Sequence, residues 1–346
     1  MKNYIFLLFF GSCLSLIACT KWDLDKVNIQ SNIINNPPIT SPNIPIANNY
    51  DLNKIYFSSN LVGYIVGNNV ILKTVNGGST WAKIKESNTV NYTALYFIND
   101  NNGYLGGNDQ YYNYIYATSD GGATWNQIDK NWYSNDQCKI TEIIIADNTI
   151  FYLSNAYPNA TQVYGYLRYS TDNGVNWKTL TPNNNGRQGL NCAAYNNGTI
   201  LIGGSTYWDF SQYYSGTQNL LNISNPYLVA SKIDLVASIN GISIFNNKAI
   251  AVGDGGSLSI SSNKGTNWTS RILPNFSNIN FRAVKMIDDL NYYLAGDSGT
   301  LLKSSDAGVT WQSISTSGVN SLNSFSHKPN GELYLVGNGG QIIKVK

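Results

Sequence analysis

Along most of the chain, short apolar runs rich in β-branched and aromatic residues alternate with polar pairs and triplets of Gly, Asn, Asp and Ser. GYIVGNNVILK (63–73), AIAVGDGGSLSI (249–260), YYLAGDSGTLLK (292–303) and LYLVGNGGQIIK (333–344) each set two such runs on either side of a Gly/Asn/Asp turn. That is the pattern of a tight antiparallel hairpin. A third run precedes the hairpin, as in YTALYFIND (92–100), and a fourth follows it, as in WNQI (125–128). The pattern therefore predicts units of four short antiparallel strands.

Between the third and fourth runs stands a recurring octet: TVNGGSTW (74–81), TSDGGATW (118–125), STDNGVNW (170–177), SSNKGTNW (261–268) and SSDAGVTW (304–311). Its tryptophans are 44, 52, 91 and 43 residues apart, so one copy is missing between Trp177 and Trp268. Four strands in a period of this length form a β-propeller blade. Residues 51–346 divided among seven blades give about 42 each, so the expected fold is an all-β, seven-bladed propeller. The frame [ST]-x-[DN]-x-G-x-[TN]-W resembles the Asp-box, or BNR repeat, of sialidases, sortilin-type receptors and the photosystem II assembly factor family. Elementary chemistry gives it a structural role. Asn76, Asp120, Asp172, Asn263 and Asp306 accept backbone N–H bonds inside the turn, while Trp81, Trp125, Trp177, Trp268 and Trp311 bury a ring against the blade. Blade 7 begins near Ser321 and runs out of chain at IIKVK after three strands. An open edge invites pairing, so a segment within 26–50, such as Asn43 to Asn48, is expected to supply the outer strand.

The N-terminus is of another kind. MKNYIFLLFFGSCLSLIA (1–18) reads as a signal peptide, and Leu16-Ile17-Ala18-Cys19 resembles the lipobox of bacterial lipoproteins. The chain divides into 1–18, signal; 19–50, a lipid-attached linker with the closing strand; and 51–346, the propeller. The resemblance implies lipidation at Cys19 and attachment to a membrane. Asp23 and Asp25 resemble the acidic tags of surface-displayed lipoproteins, which implies an outer-membrane, surface-facing location. An exported location permits a disulfide between Cys138 and Cys192, and spacing alone leaves it open.

Strand parity then locates a candidate site. The first-to-second and third-to-fourth turns share one face with the octets; the second-to-third turns and the inter-blade loops share the other. Blades 2 and 3 are enlarged on that second face, and blade 4 is read as exchanging its octet for STYWDFSQYYSGTQ (205–218). The extra residues are aromatic: Tyr111, Tyr112 and Tyr114; Tyr157, Tyr164 and Tyr166; Tyr207, Trp208, Phe210, Tyr213 and Tyr214; with Trp132 and Tyr133 beside them. Rings interleaved with amides suit sugar stacking or a protein interface, and about half should pack the loops together.

Composition narrows the classes. Charge is balanced at 22 Lys+Arg against 20 Asp+Glu, so no basic field draws nucleic acid. The single histidine, His327, rules out a tetrahedral zinc site and gives a poor triad, and no metal or cofactor is expected. Sialidase chemistry needs three arginines on the substrate carboxylate, but the chain has only Arg168, Arg187, Arg271 and Arg282, and NFRAV (280–284) is a poor echo of that family's Phe-Arg-Ile-Pro opening. Another glycosidase would use two carboxylates; Asp109, Asp136 and Asp209 are the acids expected on the aromatic face, and Glu86, Glu142 and Glu332 are the only glutamates. The photosystem II assembly factor family gives the widest resemblance. It implies a non-catalytic platform docking onto a protein, although that family's docking surfaces are rich in Arg. The expected function is a non-catalytic binding platform on the face of blades 2–4, for a glycan or a protein; glycoside hydrolysis is the alternative.

Deleting residues 20–50 should lower the melting temperature by more than about 5 °C in thermal unfolding, because an unpaired edge strand is left behind. An unchanged midpoint would exclude the closing strand.

Overall fold

The computed structural model describes residues 50–345, apart from 133–136, 160–161, 181–188, 206–217, 225–228, 235–236, 317 and 319. The described strands form seven antiparallel meanders: six four-stranded sheets and a three-stranded seventh. They span 52–86, 91–132, 137–180, 190–234, 239–272, 281–313 and 322–345, and are termed blades 1 to 7, with strands A to D in chain order. The A strands of successive blades pack side by side, and that of blade 7 packs on that of blade 1, so the sheets close into a ring with the A strands innermost. The segment expected to complete blade 7, with Cys19 and the signal peptide, lies outside the described residues. Just after it, the Tyr50 carbonyl accepts a bond from the Gly340 N–H (2.6 Å) at the start of blade 7's last strand.

The hydrophobic pattern dictates this radial packing. The B strands, such as Gly63–Gly67, Tyr292–Gly296 and Leu333–Gly337, are buried along their whole length because each sheet is covered on both faces. The outer strand Ala82–Glu86 is exposed throughout and reads as polar. The apolar core is accordingly split into seven clusters, one in each gap between consecutive blades. The gap between blades 7 and 1 is filled by Phe57, Ile65, Leu72, Tyr334, Val336 and Ile342, drawn from both ends of the chain.

All five octets make the same bonds. The opening hydroxyl (Thr74, Thr118, Ser170, Ser261, Ser304) accepts from the Gly N–H four residues on at 2.8–2.9 Å. It also donates to the Asx Oδ1, which takes the N–H of the residue before Trp. Trp177, Trp268 and Trp311 return a bond from Nε1 to the Gly carbonyl. The rings are half-buried, with Trp81 edge-on to Phe57 and Trp177 edge-on to Tyr152. The octet glycine is required twice over. Gly174 has φ +88°, and a Cβ there would lie 2.6 Å from Ile128 of the preceding blade.

Blade 4 departs from the expected reading. In the chain, 205–218 falls between strand B (Thr199–Gly204) and strand C (Gln218–Ser224), not between strands C and D where the other blades carry the octet, so it does not stand in the octet's place. Residues 206–217 and 225–228 lie outside the described residues. Cys138 and Cys192 are buried thiols, not a disulfide, and burial pushes Cys192 up to about 12.

The octet acids make stability depend on pH. Bonds from Thr124 and Thr118 hold Asp120 at about 2, and bonds from Asn176 and Ser170 hold Asp172 at about 2. Both folded values lie below the unfolded value of about 3.9, so their contribution is full above that value and is lost as pH falls from about 4 through 2. Asn76 and Asn263 show that an amide satisfies the same turn. Asp120→Asn with Asp172→Asn should therefore shrink the fall in melting temperature between about pH 5 and pH 2. An undiminished fall would show that these carboxylates are not the acid-sensitive groups.

Candidate functional site

Each A strand carries, in its first half, a buried apolar residue followed by a β-bulge. The bulged residues are Asn53, Thr93, Thr141, Asn191, Asn240, Arg282 and Asn323, one per blade. A bulge leaves an extra residue unpaired and re-aims its side chain. Here it turns toward the next blade. Asn53 donates to the Tyr92 carbonyl (2.9 Å), Thr141 to Leu190 (2.7 Å), Asn191 to Ile239 (3.1 Å), Asn240 to Phe281 (3.2 Å) and Asn323 to Leu52 (2.8 Å). Each acceptor is the residue just before the next blade's bulge, so the side chains form a belt around the axis. The Asn323 bond joins the two ends of the chain.

Two links are missing. Arg282 turns to the Asp297 carboxylate instead. The Thr93 hydroxyl is buried and has no hydrogen-bond partner.

The belt frames the mouth of the central channel on the face away from the octets. The channel itself has a volume of 280 Å³ and is lined by A-strand residues of all seven blades. Tyr56 and Tyr96 stack near one another in it (5.2 Å). The Lys54 ammonium spans from blade 1 to Glu142 of blade 3 at 2.6 Å. The mouth, of 510 Å³, is lined by amides from blades 1, 4, 5, 6 and 7, together with Lys54, Lys139 and Arg282. It shares Asn53, Asn68, Thr93, Lys139 and Tyr157 with a cleft of 570 Å³ over blades 1 to 3, which adds Asn108, Asp109 and Gln110.

Every charge around the mouth but one is matched. Lys54 meets Glu142, Arg282 meets Asp297, Asp51 accepts from the Gly339 N–H, and Asp254 accepts from Asn240. Lys139 makes no ion pair or hydrogen bond among the described residues. It is open to water within the pocket but enclosed by protein, and this withdrawal from bulk solvent, then the charges of Lys54 and Arg282, hold its pKa below the ordinary value.

The expected site residues divide. Tyr157 lines both the mouth and the cleft, and is 38% exposed. Tyr111 and Trp132 stand free at the surface, 46% and 62% exposed, beside the cleft's Gln110 and at the end of blade 2's outer strand. Tyr112, Tyr114 and Tyr164 are half-buried scaffolding: Tyr114 stacks on Tyr116, and Lys130 sits 3.7 Å over the Tyr112 ring. Tyr133, Tyr207, Trp208, Tyr213 and Tyr214, with Asp136, Asp209 and Arg187, lie outside the described residues.

Asp109 is committed to its own turn. It accepts from the Tyr111 and Tyr112 N–H groups and the Tyr114 hydroxyl at 2.6–2.8 Å. Burial raises its pKa, but these bonds and Lys130 outweigh that and hold it below the usual range, the wrong direction for a general acid. Among the described residues no cluster of His, Cys, Asp and Glu could hold a metal, and no helix is long and apolar enough to cross a membrane.

The profile of the family described as "Photosynthesis system II assembly factor YCF48" matches residues 43–346. A solved structure of YCF48 bound to D1 peptide is similar at TM-score 0.67 and 16% identity, covering 88% of this chain and 94% of that one. YCF48 from Cyanidioschyzon merolae is similar at TM-score 0.66 and 15% identity, covering 88% and 98%. Streptogramin B lyase reaches 0.64 at 12% identity, covering 88% and 95%. At such identities the likeness is one of fold, and a fold hosts many functions. No curated protein is similar enough to count as a match.

The belt yields a direct test. Asn323→Ala removes the belt's one link between blade 7 and blade 1, which the chain does not join, and takes a donor from the Leu52 carbonyl, at a cost of about 1–2 kcal/mol. Denaturant unfolding should show that loss, and hydrogen exchange should rise first in blade 7. Uniform exchange at unchanged stability would show that the closure does not rely on this bond.

Proposed function

The chain belongs to the photosystem II assembly factor YCF48 family, and from that premise we propose that it is a non-catalytic docking platform whose mouth face binds a protein partner. The observation that carries this reading is the mouth pocket of 510 Å³ joined to the 570 Å³ cleft over blades 1 to 3, the two sharing amides, Thr93, Lys139 and Tyr157. Amide and hydroxyl side chains offer donors and acceptors to a peptide backbone, and pockets of this volume suit a few residues of it. Asp109, the acid nearest the cleft, is spent on its turn and supplies no catalytic proton. The relative solved with D1 peptide gives a precedent for peptide binding on this fold.

Glycan binding is the second reading, favoured by the exposed ring of Trp132 at the end of blade 2's outer strand. For either ligand, the platform would be held at the outer membrane, facing outward, by a lipid on Cys19. The Leu16-Ile17-Ala18-Cys19 sequence with Asp23 and Asp25 supports that placement.

Photo-crosslinking groups introduced at Tyr111 and Tyr157 on the mouth face, and at Ser79 and Val175 on the octet face, distinguish these readings in cells. Discrete crosslinked protein bands from the first pair and none from the second are expected. Bands from both faces alike, or from neither, would remove the docking reading; retardation in polysaccharide gels that Trp132→Ala abolishes would install the glycan. On the same cells, a membrane-impermeant amine reagent should label the propeller's lysines, and failure to label would turn it toward the periplasm.

A further inference from the structure

The two missing links of the belt are not equivalent. Arg282 leaves it for a partner, Asp297, so its charge is matched. Thr93 leaves it for nothing: its side chain is buried, its hydroxyl is unpartnered, and it lines both the mouth and the cleft. A short side chain is not the cause, because Thr141 completes the same link to Leu190 at 2.7 Å. Burying an unpaired hydroxyl is costly, and such groups call for a partner. Lining both pockets with it is Lys139, the one cation of the mouth without an anion among the described residues. The Asn108 side-chain carbonyl, on the wall of the cleft, is likewise buried and unpartnered.

We infer that the interruption of the belt between blades 2 and 3 is a subsite for a carboxylate carried on a peptide, with the Lys139 ammonium as counter-charge and the Thr93 hydroxyl as donor. The inference deepens the docking reading and rests on it. A single unmatched positive charge fits a singly charged anion. A phosphate would call for a guanidinium fork, a helix N-terminus or a nest of amides; the cleft has no arginine among the described residues, and the mouth's Arg282 is paired with Asp297. The Asn108 carbonyl is an acceptor, so it suits a backbone N–H of the same peptide rather than the anion. Because Lys54 and Arg282 repel Lys139, an arriving carboxylate relieves an existing electrostatic cost as well as adding an attraction. The belt explains why the position is open. Wherever a link is made the side chain is spent on the scaffold, and only at Thr93 is it left for a ligand.

Three peptides test this on the soluble propeller: a blocked Ala-Glu-Ala, its blocked Ala-Gln-Ala counterpart, and Ala-Ala-Ala blocked at the amine with its terminal carboxylate free. Titrations followed by amide shifts should give the carboxylate-bearing peptides an affinity at least about tenfold above that of the neutral one. Whichever of the two binds tighter identifies the source as a side chain or a chain end. Lys139→Gln should erase the preference, and Thr93→Val, which keeps shape and charge, should reduce it several-fold. Unchanged dispersion of the amide spectrum verifies that both variants fold. Equal binding of all three peptides, binding of none, or a preference that survives in Lys139→Gln overturns the subsite. The crosslinking pattern of the two faces does not depend on Lys139, so the docking reading is judged separately.

Discussion

The hydrogen bond from five of the seven bulged inner-strand side chains to the next blade's backbone is the constraint on which this molecule turns. A radial array of small sheets has no single core, and each blade could slide or tilt against its neighbours if only apolar surface held it. The bond fixes both height and angle. It does so with one residue from each side, at the radius where blades lie closest. Asn suits the position because its amide reaches across and its remaining atoms can serve the mouth, as Asn240 does with Asp254 and Asn323 with Asn338.

The octets secure the periphery in a complementary way. Their turns are built from internal bonds, but glycine carbonyls within them are used by the blade before. Tyr64 and Lys73 of blade 1 bind the Gly121 carbonyl of blade 2, and Tyr334 and Lys328 of blade 7 bind Gly77 of blade 1. Between blades 2 and 3 the same task falls to Asp129, which gathers Arg168, Tyr152 and Asn131 around one oxygen at 2.6–2.9 Å. One face of the propeller is thereby committed to holding the ring together. The opposite face carries the longer B–C connections, which cost the scaffold little.

Polar groups on the binding face differ in what remains of them after folding. Asp109 resembled a candidate acid, yet its oxygens are used by Tyr111, Tyr112 and Tyr114. Tyr112 and Tyr114 resembled ligand platforms, yet they pack with Lys130 against their own blade. Lys139 and Thr93, unremarkable in composition, keep their hydrogen-bonding capacity. A site is defined by the capacity that folding leaves over.

The octets, hairpin turns and four-run period sufficed by themselves to determine an all-β propeller, which strand each octet follows, and which face each turn occupies. These are local properties: a Gly at positive φ, an Asx turn and alternation along a strand act within a few residues. The opening pair of each inner strand, seen in Leu52-Asn53, Leu190-Asn191, Ile239-Asn240 and Leu322-Asn323, was legible too for anyone aligning the first strands. Tertiary structure alone decided that those side chains are bulged toward the next blade, that 205–218 lies between strands B and C of blade 4 and not in the octet's place, and that Thr93 and Lys139 share a pocket. Each of these depends on groups brought together by ring closure across tens to hundreds of residues, and no local pattern encodes which donor meets which acceptor once the ring has shut.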